Sequence, residues 1–369
     1  MPRSVLWKTS RNASCAHCAV EPHPKRWRPC MVEWPLVRIH APGQLSLDAV
    51  AAPEPGPDDV LVAVQQCGIC GSDLGYTAMG GLPGYPLPMP LGHELSGVVE
   101  RVGSRVQGFA PGDRVVVNPT AGGNAIGNGG AEGGFAPLLL VRGVSRDAGI
   151  LFRLPDSLSD EEGALVEPLS VAMHAANRSE LSAGDKLVIF GAGPIGLGVL
   201  LVARYLGLDH CVVVDRSERR LALARALGAT PVSAGDDGLA ARLCAEFGSV
   251  QYLGQTLPDI DVLIEATGVG AVFEQCVQLA RFRSRLTVVG VHKAPAQIDL
   301  LSVLARELRI TGSMAYPDEF PAVIEMLASG RVDASALISH RFPLSAFEQA
   351  FAVASDPNEA VKVMVDCQR

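Results

Sequence analysis

The stretch "KLVIFGAGPIGLGVLLVARYLG", residues 186–207, constrains this chain more than any other. A short apolar run leads into Gly191, Gly193 and Gly196 in GxGxxG spacing, and a long apolar run follows. Alone the string is weak. Placed directly after a strand and at the start of a helix, it gives each glycine a mechanical job. The first permits a tight turn, the second lets backbone approach a diphosphate, and the third lets helix pack closely on strand. The helix N-terminus then offers its positive end to phosphate. The next strand-like run, "CVVVD", ends in Asp215, where an acid accepts ribose hydroxyls. Gly191, Gly193, Pro194, Ile195, Gly196, Asp215 and the adjoining Arg216 thus form a candidate dinucleotide site. A carboxylate at Asp215 repels a 2′-phosphate and favours NAD over NADP, while Arg216 pulls the other way. The bland alternative is a glycine-rich turn that binds nothing.

From about Leu165 strands and helices alternate: "KLVIFGAG", an apolar helix, "CVVVD", a charged helix, "DVLIEATG", a helix, then "RLTVVGVH". That alternation predicts a doubly wound parallel sheet. The preceding region differs. Leu36–Ile39 and Val60–Val64 read as short strands separated by the turn "APEPGPDD", and Glu94–Gly103 and Gly112–Val117 continue the style. Short strands with frequent Gly and Pro suggest a small, partly open barrel. After the parallel sheet, "FPAVIEMLASG" and "LSAFEQAFAVAS" have helical periodicity and "AVKVMVD" reads as a closing strand.

A chain of 369 residues has room for two domains, and 48% hydrophobic with 19% charged residues is a folded rather than a disordered balance. The formal charge of −8 argues against nucleic acid as a partner. No uninterrupted apolar run is long enough to span a membrane. Nine cysteines without an even framework point to reduced thiols and a cytoplasmic location. Residues 1–30 are basic and rich in Pro and Trp, and read as a disordered leader or an extension upstream of Met31. Their Cys15, His17, Cys18, His23 and Cys30 allow a zinc knuckle as the rival reading.

"CGICGSD", Cys67–Asp73, raises the question of a metal or redox pair. Downstream lie "LGHELSG" with His93 and Glu94, and "ALVEPLSVAMH" with Glu167. One thiolate, one imidazole and one or two carboxylates make a zinc set, and a catalytic zinc uses three protein ligands with one position open. Ser72 suits proton relay and Asp73 the orientation of a ligand.

These pieces, with "GICGSD", "GHELSGVVERVG", "GDRVVV", "VEPLSVAMHA", "GAGPIG", "VVVD" and "AVKVMV" in order, resemble the zinc-dependent medium-chain dehydrogenase/reductase superfamily. Within it the resemblance is to the sorbitol (polyol) and butanediol dehydrogenase branch, from about residue 32 to the end. It implies an α/β protein with a GroES-like β-rich catalytic domain (31–169 and 317–369) and a Rossmann NAD-binding domain (170–316). It implies zinc on Cys70, His93 and Glu94, with Glu167 as a fourth ligand, direct or through water. It makes Ser72 the relay hydroxyl and Asp73 a support of the metal shell, and leaves Cys67 as a small buried filler. The implied activity is hydride transfer between NAD and a secondary alcohol or polyol, in a homo-oligomer, dimer or tetramer.

One departure stands out. Many relatives carry a four-cysteine lobe for a structural zinc, but here "TAGGNAIGNGGAEGGFAP" follows "GDRVVVNP" and has no cysteine. One catalytic zinc and no structural zinc per subunit is the expectation. His174 reads as near the cofactor or as cleft packing, Tyr76 as pocket lining or packing, and His292 as packing more than a nicotinamide contact. Cys211, Cys244, Cys276 and Cys367 read as structural thiols. The rivals are a zinc-free NADPH-dependent quinone or enone reductase of the same fold, and a non-catalytic nucleotide-binding protein on this scaffold.

Overall fold

The computed structural model describes residues 33–235 and 238–369, with the backbone of Leu6 and Trp7. The leader 1–30, including its Cys/His set, otherwise lies outside the described residues. The chain forms two compact units. One holds the described residues up to Arg153 with Phe342–Phe351 and Val365–Arg369; the other holds Leu154–Arg341 and Ala352–Met364.

The first unit is built around the strand Val60–Ile69, which pairs antiparallel with Glu94–Val102 on one side and Leu138–Val141 on the other. Arg114–Val117 and Leu151–Arg153 extend the sheet beyond Glu94–Val102. Val60, Val62, Val64, Val115 and Val117 are wholly buried, so β-branched residues supply both the strand preference and the core. A second antiparallel group sets Glu33–Ala41 between Gln44–Ala51 and Met89–Pro90. The strand Gln44–Ala51 is an addition to the sequence reading. Pro42 and Gly43 make the turn that produces it, with Gly43 at φ +69°, and "QLSLD" alternates polar and apolar residues, a strand signal that the reading above did not use. The chain end joins the same unit, where Cys367 N–H donates to Gln65 O and Gln368 Nε2 to Val64 O.

The second unit carries a six-stranded sheet in which every pairing is parallel. In sequence order its strands are Leu187–Phe190, Cys211–Asp215, Thr230–Ser233, Val262–Glu265, Arg285–Val288 and Arg309–Gly312. Across the sheet they lie 3-2-1-4-5-6, the doubly wound order, with the reversal between the first and fourth strands. Val188, Val212, Leu263, Ile260, Leu243 and Cys276 form one buried cluster on the sheet. Each wholly buried aliphatic side chain contributes roughly 1.5–3 kcal/mol, which fixes the strand ends where a ligand would sit. Helix Val166–Arg178 packs on helix Pro194–Tyr205, where a Cβ on Gly198 would come within 2.9 Å of Ala172 Cβ. An antiparallel hairpin, Ser249–Tyr252 with Gln255–Pro258, interrupts the alternation and is absent from the sequence reading. Among the described residues no helix is long and apolar enough to cross a membrane.

Candidate metal centre and dinucleotide turn

The candidate metal residues come from the end of one strand and the start of its partner. Val60–Ile69 delivers Cys70 to the N-cap of helix Gly71–Met79, while the antiparallel register sets Gly68 directly opposite Glu94. His93 immediately precedes that partner strand. The ligand atoms of Cys70, His93 and Glu94 all fall within 4.8 Å of one another, the one such cluster found among the described residues. Thiolate, imidazole and carboxylate together are a donor set that zinc takes in catalytic sites.

Asp73 ties the cluster to the helix. One carboxylate oxygen accepts from the Cys70 N–H at 2.9 Å, the reciprocal half of a capping arrangement. The other, Oδ1, lies 3.6 Å from His93 Nδ1, too far for a hydrogen bond. Both atoms are buried and have no hydrogen-bond partner. An acid behind one imidazole nitrogen leaves the other, Nε2, to face a metal, the arrangement that orients metal-bound histidines. Nε2 is 3.2 Å from Ser72 Oγ. Burial alone pushes the proton affinity of His93 down, but the charges of Asp73 and Cys70 outweigh it and hold the imidazole well above the ordinary histidine range. The site is a buried concentration of negative charge that favours a cation, and its residues fit zinc.

Cys67 is wholly buried, and burial, with the charges of Cys367, Asp73 and Glu94, pushes its thiol well up. Its sulfur fills the space beside Gly92 and Gly134, where an added Cβ would come within 3.0 and 3.1 Å of it. It does not join the cluster. Glu167 is buried in the first turn of helix Val166–Arg178, in the second unit.

In the second unit the three glycines do separate work. Gly191 has φ +102°, and a Cβ on Gly196 would lie 1.8 Å from Gly191 O. Around Gly193 the nearest atom to an added Cβ is Arg220 Nη1 at 3.8 Å, which leaves open space at the position a diphosphate approaches. Pro194 and Ile195 begin the helix behind it, with Gly193 as N-cap. Asp215 is held by two N–H donors, Ala192 to Oδ2 at 2.6 Å and Ser217 to Oδ1 at 2.8 Å. Arg216 is exposed. Sequence reasoning passed over Arg220, which sits by the turn, donates from Nη2 to Ala360 O at 2.9 Å and has a buried, unpartnered Nε. Burial lowers its pKa, and Asp215 opposes that. The only sequence signal was its place in the run "SERR" after Asp215.

Other candidates have structural partners. His174 Nδ1 meets Glu319 Oε1 at 2.7 Å, and Asn177 Nδ2 donates to the same oxygen. His292 Nε2 meets Glu265 Oε2 at 2.8 Å; Glu265 Oε1 also accepts from the N–H groups of Thr267 and Gly268. Cys211, Cys276 and Cys367 are buried thiols raised by burial, Cys211 to about 11. Tyr76 donates to Asn128 Oδ1 at 3.1 Å.

Comparison with known proteins decides the family. Residues 56–148 match the alcohol dehydrogenase GroES-like domain and residues 194–329 the zinc-binding dehydrogenase domain. Human sorbitol dehydrogenase is 36% identical over 349 residues, covering 89% of this chain and 94% of that one. The chain belongs to the zinc-dependent medium-chain dehydrogenases. The 2R,3R-butanediol dehydrogenase of Bacillus subtilis superposes with a TM-score of 0.81 at 32% identity, covering 90% of this chain and 99% of that one. A zinc-binding dehydrogenase of Sinorhizobium meliloti 1021, solved bound to NADP, gives 0.78 at 31% identity, with 90% and 99% coverage. The first unit is accordingly the GroES-like part of a medium-chain dehydrogenase and the parallel sheet its Rossmann part, and the enzyme is a zinc-containing oxidoreductase.

Proposed function

We propose that this dehydrogenase interconverts a secondary alcohol or polyol and its ketone, with NAD as hydride carrier and one catalytic zinc per chain. The observation that carries the reading is the Cys70–His93–Glu94 cluster, with His93 and Glu94 buried, Cys70 half-buried and Asp73 behind His93. Cys70 Sγ, His93 Nε2 and a Glu94 carboxylate oxygen would hold the metal, with Glu167 as a fourth ligand, direct or through water. When bound, zinc supplies a Lewis acid that lowers a hydroxyl's pKa, and NAD supplies the hydride acceptor. Asp73, behind His93 Nδ1, keeps the ring oriented with Nε2 toward the metal position. Ser72 Oγ, beside His93, takes the proton of the substrate hydroxyl and passes it outward. Gly191, Gly193 and Gly196 with Pro194 and Ile195 admit the diphosphate. Asp215, with Arg216 turned outward, orients the ribose and disfavours a 2′-phosphate. A zinc-free NADPH reductase has no use for a cysteine–histidine–glutamate cluster of this kind, and a non-catalytic scaffold no use for Ser72 beside it.

A cytoplasmic homo-oligomer, dimer or tetramer, belongs to the same reading. The free thiols support the compartment. Exposed Val291, Leu300, Leu301, Leu304 and Met314 near the outermost strand Arg309–Gly312 support self-association.

The test is metal analysis joined to cofactor reduction over a panel of polyols, diols, cyclic alcohols and amino alcohols. One zinc per chain and faster turnover with limiting NAD than NADP are expected. A rate that survives complete chelation of the metal, or preference for NADP, overturns the reading.

A further inference from the structure

The carboxyl ends of the parallel strands carry a second charged group beside the dinucleotide turn. A sheet of order 3-2-1-4-5-6 is two mononucleotide-binding halves, and a dinucleotide lies across their boundary. The glycine turn and Asp215 belong to the first half. The nicotinamide nucleotide therefore falls to the second, outside the ends of the fourth and fifth strands. The halves touch at the turn itself: a Cβ on Gly191 would stand 3.0 Å from Thr267 Cγ2 and 3.2 Å from Ala266 O.

Two side chains hold the second half together. Glu265 ends the fourth strand, Val262–Glu265, and is wholly buried. Its Oε1 accepts from the N–H groups of Thr267 and Gly268, at 2.7 and 2.9 Å, and from the Thr267 hydroxyl. Its Oε2 faces His292 Nε2 at 2.8 Å, and His292 follows the fifth strand, Arg285–Val288. Gly290 makes the approach possible, since a Cβ there would stand 2.7 Å from Glu265 Oε2 and 2.2 Å from Gly268 N. The His292 ring meets Phe273 edge-on, with centroids 6.2 Å apart, and stays partly open to solvent.

A carboxylate only accepts, so the proton at Nε2 stays between the two groups, and Nδ1 is the nitrogen that takes up or releases a proton. The pair is therefore singly negative or neutral. Nicotinamide differs in the same respect, being positive when oxidised and neutral when reduced, while the diphosphate is common to both forms. We infer that the Glu265–His292 pair weights this site between oxidised and reduced NAD: singly negative it favours the oxidised form, and a proton on His292 removes that preference. The inference rests on the NAD dehydrogenase reading and adds a control of cofactor state by pH. Alcohol oxidation releases a proton and ketone reduction consumes one, so the pair biases cofactor binding in the direction in which pH biases the reaction.

Dissociation constants of NAD and NADH are measured by calorimetry on the zinc-loaded protein between about pH 5 and 8, where histidines exchange protons. The quantity read is the NADH constant divided by the NAD constant, in which the shared diphosphate contacts cancel. One unit charge several ångströms away in a partly screened site corresponds to roughly 3–30-fold, and in wild type the ratio should rise by that factor from the acid to the alkaline end. His292→Gln keeps an N–H donor for Glu265 and has no charge at any pH. Its ratio should exceed that of wild type by the same factor at the acid end and agree within about twofold at the alkaline end. The metal centre's own response to pH is common to both proteins and cancels in the comparison. Glu265→Gln should lower the ratio at the alkaline end. The other titratable groups on the elements packed here are Glu274, which accepts from the Gln297 N–H, exposed Lys293, and the Cys276 thiol, held well above the ordinary range by burial and by the charge of Glu265. All three are unchanged in both variants. If Glu265→Gln fails to fold, His292→Gln decides. Equal changes in the two affinities mark a merely structural pair, and a shift in the ratio that is the same at every pH excludes the proton on His292; either overturns the inference. If wild type binds neither NAD nor NADH, the functional reading falls and takes this inference with it. If it binds both and His292→Gln leaves the ratio unmoved, this inference alone falls.

Discussion

Gly68→Ala reaches the metal centre without touching a ligand. Gly68 lies in the strand Val60–Ile69 in an ordinary strand conformation, so alanine meets no backbone strain there. The obstacle is across the pair, where an added Cβ would stand 2.3 Å from Glu94 Oε2 and 3.4 Å from Glu94 Cβ and Cδ. Ordinary contact begins at 3.4 Å, so the oxygen must retreat by about 1 Å, while Cβ and Cδ already stand at ordinary contact and leave rotation of the carboxylate as the way out. Metal–ligand distances tolerate about 0.2 Å, so the displacement is several times what a bound zinc accepts. We expect zinc affinity to fall by about 10–100-fold or more, with kcat/KM falling alongside it and partly recovering in excess zinc. The assay is zinc retention against a competing chelator, followed by kinetics with and without added metal. Gly75→Ala is the control, because nothing lies within 4 Å of its added Cβ. It sits mid-helix and should gain up to about 1 kcal/mol with zinc unchanged. If Gly68→Ala holds zinc as tightly as wild type at unchanged kcat/KM, Glu94 is not held by this strand pairing in the way argued.

Cys70→Ser should lose zinc and turnover together, Ser72→Ala should keep zinc and slow turnover by about 10²–10⁴-fold, and Cys67→Ser should keep zinc while losing about 1–3 kcal/mol of stability to a buried hydroxyl. Zinc content, kinetics and urea unfolding of the three variants check this, and zinc loss in Cys67→Ser contradicts it. Asp215→Ala removes both the repulsion of a 2′-phosphate and the acceptor for the Ala192 and Ser217 N–H groups, so KM for NAD should rise and the ratio of NAD to NADP efficiency should fall. An unchanged ratio refutes that role. Cys211 keeps its proton to about pH 11 in the folded chain, against an ordinary thiol near 9, so the folded state binds the extra proton between those values. Stability should therefore be intact below pH 9 and fall by on the order of 2 kcal/mol as pH rises to 11, a slope that Cys211→Ala should lack. Urea unfolding of both proteins at pH 8, 10 and 11 checks the difference.

What the sequence made legible was whatever depends on local rules. The glycine turn could be read because Gly191, Gly193 and Gly196 each answer a constraint within a few residues of themselves, and the structure shows those constraints as a positive φ, an open gap and a close approach. The strands Cys211–Asp215 and Val262–Glu265 are continuous apolar runs because both faces of a parallel sheet are covered. The hairpin after Gly248 escaped for the opposite reason. Its two-residue turn is Leu253–Gly254, both at positive φ, and leucine is not a residue that advertises such a turn. Arg220 escaped because its place by Gly193 is set by the meeting of a helix start with the turn after another strand, which no spacing encodes.

The metal centre shows where local rules stop. Cys70, His93 and Glu94 could be proposed as ligands from their residue types, but not the division of labour behind them. That division depends on a cross-strand register that opposes Gly68 to Glu94, and on Asp73 giving one oxygen to the Cys70 N–H and turning the other to His93. The loop 120–134 carries the point further. Read as a sequence, it is an absence, a stretch of glycines where many relatives hold cysteines. In the fold those glycines let backbone press against Gly92 and under Tyr85, and the close seating gives Asn128 its fixed reach to Tyr76. Glycine here is the means of approach, a role that residue type and spacing alone do not announce.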